Sequence, residues 1–263
     1  MLNRAPGVLA LLGALALGAC QTTPTAQSGL LASYEGAAAP GQSLRAVVSQ
    51  RRDDRATDAI ERVFIEPAVL TPDAGRAFSE AERRQLLREV DRQVCFEISE
   101  RFTLAPAVGP DVAVVRVFVV GLKPTGPIGS AASAAAGFFN PVPIIDVRAP
   151  WALGGLAIES ELLAPGTGVQ VAFITWGRDA TVVGTDSPSL SRLGDALQFA
   201  EPMADAVGDA FASEARPERK IEGPDPCAQY GPRLNLARTA GGVVVGIVTG
   251  LYVPEIEQPG PPK

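Results

Sequence analysis

The sequence predicts an α+β two-layer sandwich, a mainly antiparallel sheet with two amphipathic helices on one face. Three observations lead there. Residues 112–122 are an almost unbroken apolar run rich in Val, too short and too β-branched for a helix, and read as a buried central strand. Residues 79–101 and 186–215 carry apolar side chains at three- and four-residue steps, the period of a helix with one buried face. Residues 156–163 and 169–176 are two β-rich runs joined by a Pro/Gly turn, the pattern of a hairpin. The order strand, helix, strand, long crossover, hairpin, helix stacks into two layers. A partly curled barrel that uses the segment around Arg178 is the competing arrangement.

Taken in order, the chain opens with Arg4 and an apolar run from Val8 to Leu17, the build of a secretory signal peptide. About 10 apolar residues are too few to span a bilayer. Leu17-Gly18-Ala19-Cys20 resembles the lipobox of bacterial lipoproteins, in which the cysteine thiol takes a diacylglycerol and the peptide is cut before it. The domain plan is therefore a signal peptide over 1–19, a lipid-anchored tether and extension over 20–58, an α+β domain over 59–216, and a linker with a Gly-rich apolar tail over 217–263. Residues 21–29 are polar and uncharged, a flexible tether by composition. The run Arg51-Arg52-Asp53-Asp54-Arg55 alternates in sign and reads as a solvated surface.

The first strand is expected over 60–70, with Pro67 limiting the pairing of its end. Ser79 and Glu82 stand at the spacing of a capping box that opens the first helix. The helix presents Leu86, Leu87, Val90, Val94, Ile98 and Phe102 on one face. The crossover 123–151 is long for a connection inside one domain and displays Phe138, Phe139, Ile144, Ile145 and Trp151, a candidate interaction surface. The second helix is expected from Asp186 to about Ala215, with a kink near Pro202.

Composition removes whole classes of chemistry. The chain has no histidine, so Ser-His-Asp and Cys-His catalysis and HExxH zinc sites are out of reach. Its net charge of -6 gives no counterion release on a phosphate backbone, so no nucleic-acid partner is expected. Glu159 and Glu161 point to one side of their strand, opposite Ile158 and Leu162, and read as a solvent face and not as an acid/base pair. Gly166-Thr167-Gly168 sits at a hairpin tip with no helix after it, so it is not a nucleotide-binding loop. No catalytic residue, metal site or cofactor is assigned. With Cys20 spent on lipid, Cys95 and Cys227 remain in a compartment that permits disulfides, and they are expected to pair; two unrelated thiols are the alternative.

The lipobox, Gly29-Leu30-Leu31-Ala32-Ser33-Tyr34, Val63-Phe64-Ile65-Glu66-Pro67, the capped helix, and Ile158-Glu159-Ser160-Glu161-Leu162-Leu163 with its Thr167-Gly168 hairpin together resemble the bacterial lipoproteins grouped as domain of unknown function 3313. The resemblance covers residues 29–216. Ala164-Pro165-Gly166 departs from the Asp-Ala-Lys that such chains often carry at the hairpin tip. It implies an exported, lipid-anchored domain of Gram-negative bacteria with no assigned reaction. By resemblance to lipoprotein sorting, Gln21 in place of Asp favours the outer membrane, at its periplasmic face. The expected role is a non-enzymatic module that binds an envelope protein or helps assemble a complex; a small-ligand carrier or carboxylate-dependent enzyme with a pocket between sheet and helices is the alternative. In the tail, Gly242, Gly246 and Gly250 recur every four residues, as on a helix that packs closely against another. A docked or self-associating helix over 239–253 is expected; the many Val residues make a strand added to the sheet the competing reading, and the run 240–253 falls short of the ~20 residues a bilayer needs.

Overall fold

The apolar run at 112–122 lies in the middle of a mixed sheet. The computed structural model describes residues 22, 26–39, 41–42, 46–131 and 146–231. Strands β1 (Gly41–Gln42) and β2 (Val47–Arg52) precede a short helix α1 (Asp54–Asp58), β3 (Arg62–Ile65) and β4 (Val69–Leu70). One turn of helix, α2 (Pro72–Gly75), leads to the long α3 (Glu80–Arg101), followed by β5 (Thr103–Leu104) and β6 (Ala113–Lys123). β7 (Asp146–Val147), the hairpin of β8 (Gly155–Leu163) and β9 (Gln170–Asp179), β10 (Val183–Gly184) and α4 (Gly194–Phe211) follow.

The eight-stranded sheet runs β1-β2-β9-β8-β6-β3-β5, with β4 also paired to β6, and β7 and β10 form a separate ladder. Pairing is antiparallel from β1 across to β6. Beyond β6 the contacts β3–β6, β4–β6 and β3–β5 are parallel, because α3 returns the chain to the same end of the sheet before β5 and β6 begin. The α+β class therefore stands, with a parallel margin on a mainly antiparallel sheet.

Both long helices cover one face. Ser79 accepts from the Glu82 N–H and the Glu82 carboxylate accepts from the Ser79 N–H, completing the capping box. That Ser79 N–H is the largest influence holding the Glu82 carboxyl below its usual range. Leu86, Val90, Val94 and Ile98 of α3 share a core with Phe199, Met203 and Val207 of α4 and with Val115, Val117, Ile158, Leu162 and Ile174 of the sheet. Fully burying each such side chain contributes about 1.5–3 kcal/mol, so this layer dominates stability. Arg148 and Asp195, both buried, clamp the return of the crossover onto the first turn of α4 through contacts of 2.5 and 3.0 Å.

Several expectations need correction. The sheet begins before Ala59: β2 pairs with β9 along its whole length, since Val47 and Val48 have apolar neighbours to join. The 51–55 charge run is not a plain solvated surface. Arg52 donates to the carbonyls of Asp209 and Ala212 at 2.8 Å, capping α4, while Asp53 caps α1. The first strand is split in two, as Glu66 and Pro67 interrupt it. The second helix starts at Gly194 and not near Asp186, because Asp186 pairs with Arg178 and the Ser187 backbone bonds the Gln198 side chain. At Gly194 an added Cβ would collide with Ser189, so the loop closes on the helix only with glycine there.

Cys95 of α3 and Cys227 form a disulfide with Cα atoms 5.9 Å apart, packed against Phe96 and Tyr230. It ties the segment after α4 to α3 across a sequence separation of 132. In the chain-entropy account a loop of that length is worth up to about 5 kcal/mol, less any native strain. Replacing both cysteines by serine should lower the unfolding free energy of the oxidised protein by about 2–5 kcal/mol, read as a lower urea midpoint. An unchanged midpoint would show that the crosslink contributes nothing to folding.

Candidate functional site

The outer face of the sheet, opposite the helices, carries Arg116 and Phe118 of β6, Glu159 and Glu161 of β8, and Gln170 and Phe173 of β9. Strand alternation puts the β6 and β8 residues there, since their neighbours Val117 and Ile158 belong to the helix-side core, while on β9 the register shift opposite Leu162 and Leu163 brings Gln170 to the same face as Phe173. The orientation of Glu159 and Glu161 matches the sequence reading, but their exposure does not. Glu159 is 2% exposed and Glu161 fully buried, because residues 26–37 lie over them as a strap.

Two buried carboxylates need donors, since an unpartnered buried charge costs several kcal/mol. The strap supplies them. The Ser28 N–H donates to Glu159 Oε1 at 2.9 Å, and the Ser28 hydroxyl donates to Oε2. Tyr34 donates its hydroxyl proton to the same Oε2 at 2.6 Å. The Tyr34 oxygen in turn accepts from the Gly29 N–H at 3.0 Å and the Leu31 N–H at 3.4 Å. Glu161 accepts from the Ala32 N–H, from Gln170 Nε2 and from Arg116 Nη1, each at 2.9 Å. Gly29 holds a φ of +79°, a left-handed conformation that favours glycine and aims these successive N–H groups inward.

Apolar contacts complete the joint. Leu31 is buried against Phe118 and Phe173, Tyr34 meets Phe173 edge-on at 6.2 Å, and Arg116 stacks over Phe118 at 5.0 Å. A small hollow of 120 Å³ remains beside Tyr34, Glu159 and Phe173. Further toward the N-terminus, Thr22 Oγ1 accepts from the Asp179 N–H at 3.1 Å. Asp179 pairs across the ladder with Gly155, so the contacts at Thr22, Ser28 and Ala32 fall in order along β8. Residues 21–29, expected to be a loose tether, thus include docked positions. The signal that could have revealed this was the clustering of hydroxyl and glycine residues beside Leu31 and Tyr34, which suits a loop closed around a carboxylate.

A second group of acids lies between the helices. Burial pushes the Glu97 carboxyl up to about 7, reinforced by Asp205, Glu100 and Glu218. Burial also raises Asp205, with Glu201 adding to it. Arg101 pairs with Asp209 at 2.5 Å and Glu218 at 2.9 Å beside them. Among the described residues no group of His, Cys, Asp and Glu is arranged to hold a metal ion.

Of the residues marked out by the sequence, Cys95 and Cys227 come together and Trp151 stands exposed. Cys20, Phe138, Phe139, Ile145, Gly242, Gly246 and Gly250 lie outside the described residues.

Two outcomes follow from this chemistry. Tyr34→Phe removes the donor to Glu159 and the acceptor for two strap amides, and should lower stability by about 1–3 kcal/mol. Amide exchange at Gly29 and Leu31 should accelerate in that variant, and unchanged exchange would show that the hydroxyl does not hold the strap. For Glu97, whose carboxyl rises from 4.5 to about 7, the unfolded chain releases its proton first. Stability therefore falls as pH rises between those values. Glu97→Gln should raise the melting temperature at pH near 8 and leave it unchanged near pH 4, with solvent screening limiting the gain to about 1 kcal/mol. Equal melting temperatures of variant and parent at both pH values would remove this linkage.

No curated protein matches the chain. Among solved structures, a variant PelC dodecamer from Paraburkholderia phytofirmans is 12% identical, with 64% of this chain and 98% of that chain covered and a TM-score of 0.36. A second PelC dodecamer from the same organism is 13% identical, with 64% and 99% covered and a TM-score of 0.35. Scores this low mark a distant likeness, and neither assembly nor activity is inferred from them. The model of the family described as protein of unknown function (DUF3313) matches residues 26–207, from the strap through Glu159 and Glu161 into α4, and the chain belongs to that family.

Proposed function

We propose that this chain is a lipoprotein of the periplasmic face of the outer membrane, held by acylated Cys20 and acting as a non-enzymatic module that binds or assembles envelope proteins. The observation that carries the reading is the strap joint. The segment that follows the lipobox cysteine is docked along β8, so an anchor at Cys20 would hold the folded domain against the bilayer and not at the end of a long leash. The joint also engages Glu159 and Glu161 with strap and strand donors, which leaves that pair unsuited to acid/base work. The alternative, a ligand carrier or carboxylate-dependent enzyme, would need a pocket between sheet and helices. That layer is filled by Val117, Ile158, Ile174, Phe199, Met203 and Val207. Among the described residues no helix is long and apolar enough to cross a membrane.

Acyl chains contribute about 0.8 kcal/mol per buried CH₂, and one chain anchors only marginally, so a multiply acylated cysteine would make residence effectively permanent. Membrane fractionation should find the wild type with the outer membrane and Cys20→Ser soluble in the periplasm. Recovery of both in the soluble periplasmic fraction would overturn the anchor. A crosslinking pull-down from intact envelopes should recover a protein partner, and recovery of none would count against the assembly role.

A further inference from the structure

We infer that the end of the domain where β6 finishes and β8 begins is a membrane-docking surface, on which Trp151 and Ile128 enter the lipid interface beside the acyl chains of Cys20. The inference rests on the lipid-anchor reading and adds to it an orientation.

The location of the anchor point comes from covalent geometry. Thr22 is fixed to the end of β9 by the Asp179 N–H at 3.1 Å. Two residues of extended chain reach about 7 Å, the longest tether that an anchor on the Cys20 thiol would have to Thr22. Its acyl chains would therefore emerge at this end of the sheet, where Asp179 pairs across the ladder with Gly155 and its carboxylate meets Lys123 Nζ at 2.7 Å.

The same end carries the most exposed large apolar side chains among the described residues, Ile128 at 87% and Trp151 at 77%. Trp151 belongs to the turn Pro150–Ala152, which is fastened to the end of the strands by two contacts. The Gly126 N–H donates to the Ala152 carbonyl at 3.3 Å, and the Ala180 N–H to the Gly154 carbonyl at 2.9 Å. A Cβ placed on Gly129 would sit 3.0 Å from Trp151 Nε1, so the residue that follows Ile128 packs against the indole and both side chains stand at this end of the domain. Glycine at 129 lets that turn and the indole approach each other closely.

The chemistry of the patch fits a bilayer surface. An indole has an apolar body and one N–H, and it partitions to the headgroup level where both ends are satisfied. Lys123 at the rim, mostly exposed, is paired with the Asp179 carboxylate at 2.7 Å, so the lipid contact falls to the apolar side chains. Two apolar side chains alone would bind a membrane weakly. A tether of a few residues, however, keeps them at high effective concentration beside the lipid, so even weak insertion is populated. In this arrangement the acyl chains supply residence and the patch supplies orientation. The helix face and the edge strands are then turned toward the periplasm.

The chain has two tryptophans, and Trp176 is only 4% exposed, so lipid-dependent changes in emission report on Trp151. Purified acylated full-length protein would be placed in vesicles of phosphatidylethanolamine with a minor share of phosphatidylglycerol, with and without bromine-labelled acyl chains. Brominated lipid should quench part of the wild-type emission and leave Trp151→Phe unaffected. Intact-mass measurement on the same sample separates the two readings. A protein without acylation sinks the anchor itself, whereas an acylated protein whose emission is indifferent to bromine overturns the docking surface alone. A photoreactive benzoylphenylalanine at position 151 in intact envelopes should crosslink to phospholipid. A crosslink to polypeptide would assign the patch to a protein partner and overturn the lipid assignment.

Discussion

The burial of Glu159 and Glu161 is the constraint on which the rest of the outer face depends. A carboxylate under a covering segment must find donors at every lone pair it exposes, and no neighbouring strand can supply enough of them. Arg116 and Gln170 serve Glu161 from within the sheet. Among the described residues, Glu159 draws its donors from the strap, namely one backbone N–H and two hydroxyls. The consequence is mutual. The acids hold a segment that has no helix or strand of its own, and the segment makes burial of the acids tolerable. Either half alone would be unfavourable, since a bare carboxylate pair would stay hydrated and a bare strap would stay loose.

The same device recurs elsewhere with different chemistry. Arg148 and Asp195 pin the returning crossover to α4, with the Gly154 N–H and the Thr125 hydroxyl completing the Asp195 shell at 2.7 and 2.9 Å. Arg52 fastens β2 to the end of α4 through three carbonyls. The Cys95–Cys227 bridge fastens the segment beyond α4 to α3. Each pin secures a stretch that lacks apolar periodicity to an element that has it. The apolar core between sheet and helices thus fixes the fold, and discrete polar or covalent fasteners fix what surrounds it. Removing one partner of the Arg148–Asp195 pair would leave a buried unpaired charge, which is a larger loss than the pair's net contribution.

This division explains what could be read in the sequence. The helices, the hairpin and the central strand were legible because periodic burial writes itself into the spacing of Leu86, Val90, Val94 and Ile98, or of Ile158 and Leu162. The disulfide was legible from the cysteine count beside a leader of signal-peptide build. The strap was not, because its attachment uses backbone N–H groups, which every residue has, and hydroxyls that also suit a disordered tether. Glu159 and Glu161 alternate with apolar residues in the way a solvated strand does, and only the position of the strap separates the two cases. The late start of α4 was hidden for a related reason: Asp186 and Ser187 look like a helix cap, yet their bonds go to Arg178 and Gln198. The motifs that carried the family resemblance, Gly29 to Tyr34 and Ile158 to Leu163, are the two surfaces of one contact.

In the lipid-anchored arrangement proposed above, that contact would have a mechanical meaning. A freely jointed tether transmits neither torque nor orientation, so the domain it carries samples every attitude toward the membrane. A strap bonded at Thr22, Ser28, Ala32 and Tyr34 would remove that freedom, because Thr22, two residues from the proposed attachment point, is held against the sheet. The entropy lost in ordering the strap, roughly 1–2 kcal/mol per residue, is offset in part by the burial of Leu31 and by charge-assisted bonds to two carboxylates. Such ordering would be an unrewarded cost in a protein that needed only to remain near the bilayer. In the proposed assembly role, such ordering would point the exposed face in a defined direction, as a surface that meets a partner must.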